Sequence, residues 1–276
     1  PFLFDMRGMW PMERVDGGVW REGSVVHRTA LGLERVLLDR AVGVVALAAG
    51  AREHLGDLDK PFRVIPTAVD LERFRPGLPP PPGAEDLAER DVYVIAGALG
   101  TWYLLDAMLD LVAGALARSD RGHALLLTEE DASAAVAGLG RRGVPRDRIT
   151  VRGVPYAEVP NWFSLAAAGI LLIKSAPSKR ASAPTKLGEF LASGVPVVTT
   201  PRIGDSEELV RETRTGVVTG DLTSAGLATA LDELEALRGE GPVLAARCRR
   251  AAEDRLSLPA AVAAWSALYE ELISCD

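Results

Sequence analysis

Between Asp91 and Thr219 the chain repeats one pattern: a short apolar run rich in β-branched residues, a polar turn, then a stretch of helical periodicity. The runs are Asp91 to Ala96, Ala124 to Thr128, Arg148 to Val151, Ala168 to Ile173, Val195 to Thr200 and Gly216 to Thr219, with helices predicted at Trp102 to Arg118 and Ala132 to Arg141. Runs without polar alternation belong to strands buried on both faces, and strands alternating with helices form a parallel sheet covered on both sides. The predicted class is therefore α/β, a doubly wound parallel sheet.

The residues before this block repeat the pattern in shortened form. Strands are predicted at Phe2 to Phe4, Val42 to Leu47 and Phe62 to Ile65, with helices near His27 to Arg40 and Ala49 to Leu55. That is half of a doubly wound domain, and the start Pro1-Phe-Leu-Phe4, without an initiator Met, reads as a fragment whose N-terminal domain is cut short. Four successive prolines in Pro76 to Gly83 exclude helix and central strand and favour extended geometry, so they read as a linker. The expected division is a partial N-terminal domain at 1–75, a linker at 76–90, a C-terminal domain at 91–255 and a helical tail at 256–276. That tail opens at Pro259, presents Trp265, Leu268, Tyr269 and Leu272 on one face, and is expected to pack back on the N-terminal domain.

Composition narrows the function classes. With 276 residues, 48% of them apolar, the chain can fill two cores, and a net charge of −7 argues against a general nucleic-acid surface. Cys248 and Cys275 allow at most one bridge, which points to a reducing cytoplasm. His27, His54 and His123 are scattered, so no metal site is expected. No apolar run is long enough to span a bilayer, while peripheral membrane contact stays open.

Charge is local instead. Three of the four lysines, Lys174, Lys179 and Lys186, surround the run Lys179-Arg-Ala-Ser-Ala-Pro-Thr-Lys-Leu-Gly-Glu189. Ser182 reads as a helix cap, Pro184 as the first helical position and Thr185 as part of the first turn. A phosphate placed there would meet unpaired N–H groups together with Lys179, Arg180 and Lys186. Glu189 lies one turn beyond Lys186 and can accept hydrogen bonds from sugar hydroxyls; the plain alternative is a solvated Lys–Glu pair. The flanking apolar runs favour the site, because ligands of such sheets bind past the carboxyl ends of the strands. Gly97-Ala-Leu-Gly100 could bring backbone N–H groups to a pyrophosphate or could be only a tight strand-to-helix turn, and it lacks the full dinucleotide pattern. Asp5 and Arg7 follow the first strand, where Arg7 could stabilise a leaving phosphate or pair with a neighbouring carboxylate. Asp205 and Glu208 could touch a sugar, but they fit a capping box better.

These segments resemble the retaining family-4 glycosyltransferases of GT-B architecture, and the resemblance covers nearly the whole chain. Val64-Ile-Pro-Thr-Ala-Val-Asp-Leu-Glu-Arg-Phe-Arg-Pro76 is similar to the stretch joining that family's two domains, and Pro184-Thr-Lys-Leu-Gly-Glu-Phe-Leu-Ala-Ser-Gly-Val-Pro-Val-Val198 to its donor-site helix and following strand. Asp5-Met-Arg-Gly8 and Gly97 to Tyr103 resemble segments of one subgroup. The resemblance implies two Rossmann-like domains facing a cleft, a nucleotide-diphosphate-sugar donor held by the C-terminal one, an acceptor on the N-terminal one, and no cofactor or metal. Lys186, Arg7 and Asp5 become the catalytic candidates; Gly97, Gly100, Lys179, Arg180, Ser182, Pro184, Thr185, Lys186 and Glu189 become the donor-binding candidates. Two departures stand out. The first of the family's two donor-motif glutamates is replaced by Ala181, and the basic residue usual after the first strand of the C-terminal domain is absent from Gly97 to Tyr103, leaving the diphosphate to Lys179, Arg180 and Lys186. A non-catalytic sugar-nucleotide scaffold and a sugar-nucleotide epimerase of the same architecture remain the alternatives, and the acceptor stays unidentified.

Overall fold

A computed structural model describes residues 1–274, so Cys275 lies outside the described residues. Two parallel sheets organise the chain. The first joins β1 (Leu3–Met6), β2 (Gly43–Ala46) and β3 (Phe62–Val64) in the order β1-β2-β3, with α1 (Trp10–Asp16), α2 (Val25–Arg40) and α3 (Ala51–Leu55) in the connections. Helix α1 is too short to leave a periodic signal and was not expected from the sequence. The second sheet joins β4 (Asp91–Ala96), β5 (Gly122–Leu127), β6 (Ile149–Arg152), β7 (Ala166–Leu171), β8 (Val197–Thr199) and β9 (Gly216–Val218). Its order is β6-β5-β4-β7-β8-β9, every pairing is parallel, and the winding reverses between β4 and β7. That reversal opens a crevice at the carboxyl ends of β4 and β7, the usual ligand position in such sheets.

Helices α4 (Leu105–Arg118), α5 (Ser133–Arg141) and α9 (Ser224–Arg238) cover one face, and α7 (Thr185–Ala192) and α10 (Pro242–Leu256) cover the other, with α6 (Val159–Phe163) and α8 (Ser206–Thr213) completing the crossovers. Under α7 the core is aromatic: Phe163 and Phe190 stack at 4.1 Å, and Phe74 tilts against Phe163 at 6.0 Å. Two strand ends differ from expectation for local reasons. Pro196 has no N–H to donate, so β8 begins after it, and Leu172 and Ile173 leave β7 to bond the segment before α4, with Leu104 N donating to Leu172 O at 2.9 Å.

The crossing between the sheets lies earlier than the proline run. Val69 N donates to Leu256 O at 2.8 Å and Leu258 N returns a bond to Val69 O at 3.2 Å, so the two passages run side by side. Beyond Val69 the chain already belongs to the larger core, with Phe74, Ala84 and Leu87 buried in it, and Asn161 Nδ2 donates to Pro79 O at 2.9 Å. The prolines thus pack on the C-terminal sheet. Helix α11 (Leu258–Ser274) returns to the first sheet, where Leu268, Trp265 and Leu272 meet Val45 and Ile65, while Tyr269 faces outward.

Candidate functional site

The crevice is built from four segments. After β4, Gly97 turns the chain with φ +97°, a left-handed value that glycine adopts without strain, and a Cβ there would lie 3.7 Å from Lys186 Cε. The backbone donors of this turn are partly spent: Gly97 N–H bonds Leu127 O at 2.8 Å, and Leu99 N–H bonds Glu130 Oε2 at 2.8 Å. Gly100 accepts from Trp102 N at 2.7 Å, which swings Trp102 and Tyr103 over the crevice. The turn is therefore a tight connection beside Lys186, with two of its N–H groups already bonded within the fold.

After β7 the chain makes a 3-10 turn at Pro177–Ala181 and then enters α7. The sequence expectation for this entry needs correction. Ser182 closes the 3-10 turn, its N–H bonding Lys179 O at 3.1 Å, and its side chain caps nothing. Pro184 is itself the cap residue, extended at ψ 115°, and Thr185 is the first helical residue. The turn is locked from the far side by Gly204, whose N–H bonds Lys179 O at 2.8 Å and whose hydrogen points so closely at Ser182 O that a Cβ would stand 1.8 Å from it.

The three cations separate in space. Lys186 stays in the crevice, with Nζ 3.3 Å from Glu189 Oε2 and beside Gly97. Lys179 is turned to the N-terminal domain: Nζ donates to Glu13 Oε1 at 2.8 Å and lies 3.8 Å from the Trp102 ring centroid. Arg180 pairs with Glu53 of α3, Nη2 to Oε1 at 2.6 Å. Both are thus committed to interdomain contacts, because acidic residues of α1 and α3 face the 3-10 turn; Asp16 adds a bond from Ser178 N at 2.9 Å. Lys174 reaches Asp16 O at 3.3 Å.

Glu189 is the most confined charge of the site, 1% exposed. Its Oε1 accepts from the Tyr156 hydroxyl at 2.9 Å, whereas Oε2 receives no hydrogen bond among the described residues. Burial, then the bond to Glu189, pushes the Tyr156 phenol up to about 12, and burial followed by the same carboxylate raises Tyr103. Both phenols remain protonated donors at neutral pH. Asp5 and Arg7 pair loosely at 3.6 Å, and Arg7 reaches a cavity of about 240 Å³ shared with Trp102, Tyr103, Lys179, Ser182 and Pro184. Asp205 occupies the cap position of α8, yet its carboxylate does not cap it and instead accepts Ala49 N at 3.1 Å across the cleft; Glu208 makes no capping bond. Among the described residues no group of three or more His, Cys, Asp or Glu side chains could hold a metal ion, and no helix is long and apolar enough to cross a membrane.

Sequence reasoning missed Tyr156, Tyr103, Glu13 and Asp16 as site residues. Tyr156 could have been found, since it follows the carboxyl end of β6, where binding loops of such sheets lie.

The family model described as glycosyl transferases group 1 matches residues 92–236, just over half of the chain and most of the six-stranded sheet. The chain belongs to the group 1 glycosyltransferases. No curated protein matches it in sequence. Among solved structures it is similar to a sucrose-phosphate synthase from Thermosynechococcus elongatus, with TM-score 0.72 and 18% identity, over 99% of this chain and 68% of that one. HepE of Anabaena, solved with UDP and glucose, gives TM-score 0.73 and 17% identity, over 99% of this chain and 72% of that one. A glycosyltransferase from Rickettsia africae gives TM-score 0.67 and 18% identity, over 88% and 67%. At these identities the likeness establishes the fold: this group 1 glycosyltransferase has two Rossmann-like sheets in the GT-B arrangement.

Proposed function

We propose that this chain transfers a glycosyl unit from a nucleotide-diphosphate sugar to an acceptor, with retention, in the manner of family 4, and without a resident metal or cofactor. The observation that carries the reading is the buried Glu189 carboxylate, whose Oε2 accepts no aligned hydrogen bond among the described residues and is met only by the Lys186 ammonium, 3.3 Å away, at the β4–β7 switch point. A ribose hydroxyl would supply that hydrogen bond, and Lys186 with the first-turn N–H groups of α7 would meet the diphosphate, on which charge grows as the sugar departs. Arg7, across the cleft in the 240 Å³ cavity, is placed to approach the same phosphate or the acceptor once released from Asp5. Gly97 serves by taking the left-handed turn beside Lys186 and Gly100 by accepting the Trp102 N–H, and Ser182, Pro184 and Thr185 by shaping the entry to α7; Lys179 and Arg180 act as interdomain ties. We place the reaction at the cytoplasmic side, with the nucleotide sugar and an acceptor as its partners. Because HepE was solved with UDP and glucose, UDP-glucose is the first donor to test.

Calorimetric titration with UDP, GDP and ADP tests the donor reading. One nucleotide is expected to bind in the micromolar range, and Glu189→Gln to weaken it about tenfold through loss of a charge-assisted bond. Binding unchanged in Glu189→Gln would remove Glu189 from the donor site, and absence of binding by all three would overturn the reading.

A further inference from the structure

We propose that Tyr156 is a positioning residue for Glu189: by holding Oε1 and tying it to the turn at Arg73 and Phe74, it fixes the plane of the carboxylate so that Oε2 is offered to the ribose. The inference rests on the reading of Glu189 as the ribose acceptor. A carboxylate at the end of a glutamate side chain rotates in a broad, twofold well, so burial alone does not fix its plane. Here the plane is fixed by the Tyr156 hydroxyl, which takes Oε1 at 2.9 Å and leaves Oε2 toward Lys186 and the crevice. A phenol pushed up to about 12 keeps its proton, so the donor role persists across the neutral range.

The tyrosine is itself held. The Arg73 guanidinium lies 5.2 Å from its ring centroid, and the Phe74 ring 5.8 Å. Phe74 is fully buried, and the turn carrying both residues is closed by Asp70, whose Oδ1 accepts from Glu72 N at 3.0 Å and Arg73 N at 3.2 Å. Arg249 then joins that turn to the far end of α7, donating to Leu71 O, Phe74 O and Ala192 O at 3.0, 2.7 and 3.2 Å. The helix bearing Glu189 is thus gripped at its middle through Tyr156 and at its end through Arg249 by one turn, which immediately follows the crossing at Val69. Loss of the Tyr156 hydroxyl frees Oε1 without emptying the ring's place, and among ligands the cost falls on one whose ribose uses the oriented carboxylate.

Calorimetry on the full chain with UDP and 2′,3′-dideoxy-UDP separates this role from packing, with the guanine or adenine pair substituted if that base binds better. Wild type is expected to prefer the ribonucleotide about tenfold. Tyr156→Phe is expected to cut that preference about threefold or more by weakening UDP alone, and to add nothing in a Glu189→Gln background. Equal weakening of both nucleotides would overturn the inference in favour of packing, as would a preference left intact. A wild type that binds UDP without preferring it over the dideoxy form would remove the ribose reading of Glu189, and this inference with it.

Discussion

Lys179, Arg180 and Lys186 look equivalent in the sequence, but the fold assigns them different tasks. Lys186 keeps one partner, the Glu189 carboxylate beside it, and opens on the crevice; the other two end on Glu13 and Glu53. A charge that meets a diphosphate contributes about 1.5 to 3 kcal/mol, whereas an exposed ion pair contributes less than about 1. Lys186→Ala is therefore expected to weaken UDP binding tenfold or more, and Arg180→Ala to change it less than twofold, read by the same titration. Comparable losses in both variants would return Arg180 to the donor site. What the sequence could show was that cations gather near a helix start. Which of them points inward depends on α1 and α3, more than 120 residues away along the chain.

At the level of elements the alternation of apolar runs and helices was enough to place the nine strands of the described residues; those buried on both faces, such as β2, β5 and β8, leave an unbroken apolar signature. Ends and caps were less legible. The Ser182 cap failed because a 3-10 turn and Pro184 intervene, and the Asp205–Glu208 capping box failed because Asp205 finds Ala49 in another domain. Polar residues inside strands carry no such signature either. His123 on β5 is buried, its Nε2 2.9 Å from Thr150 Oγ1 on β6 and its Nδ1 without a partner among the described residues. Burial first, then the nearby Arg90, holds its pKa below the usual 6.5. The unfolded chain thus binds the proton more readily than the fold, so this stability is fully present above about pH 6.5 and is lost as pH falls below it. Wild type is expected to lose stability between pH 7 and 5 more steeply than His123→Gln, by up to about 1.4 kcal/mol per pH unit in chemical unfolding. Parallel pH profiles would show that the fold leaves the proton affinity of His123 unchanged.

For the whole molecule, the relation of the two sheets is set by contacts that no local pattern announces: Glu13 to Lys179, Asp16 to Ser178, Ala49 to Asp205 and Glu53 to Arg180. A resemblance to known families could supply the two-sheet plan, but these ties depend on side chains meeting across the cleft, where neither periodicity nor spacing is informative. Lys179 carries the most energy among them, since its side chain is 10% exposed, against 28% for Glu13, and its ammonium also lies on the Trp102 ring. A fully buried pair costs about 3 to 5 kcal/mol to break, and an exposed one less than about 1. The intermediate burial here places Glu13→Gln at a loss of about 1 to 3 kcal/mol in urea unfolding, because the ammonium is left in place without its carboxylate. Lys179→Met removes that charge while keeping an apolar stem against Trp102, so the double variant is expected to be more stable than Glu13→Gln alone. A coupling energy near zero in this cycle would mean that Glu13 and Lys179 do not hold the cleft, and that the other three ties and the crossing at Val69 with α11 carry the domain arrangement.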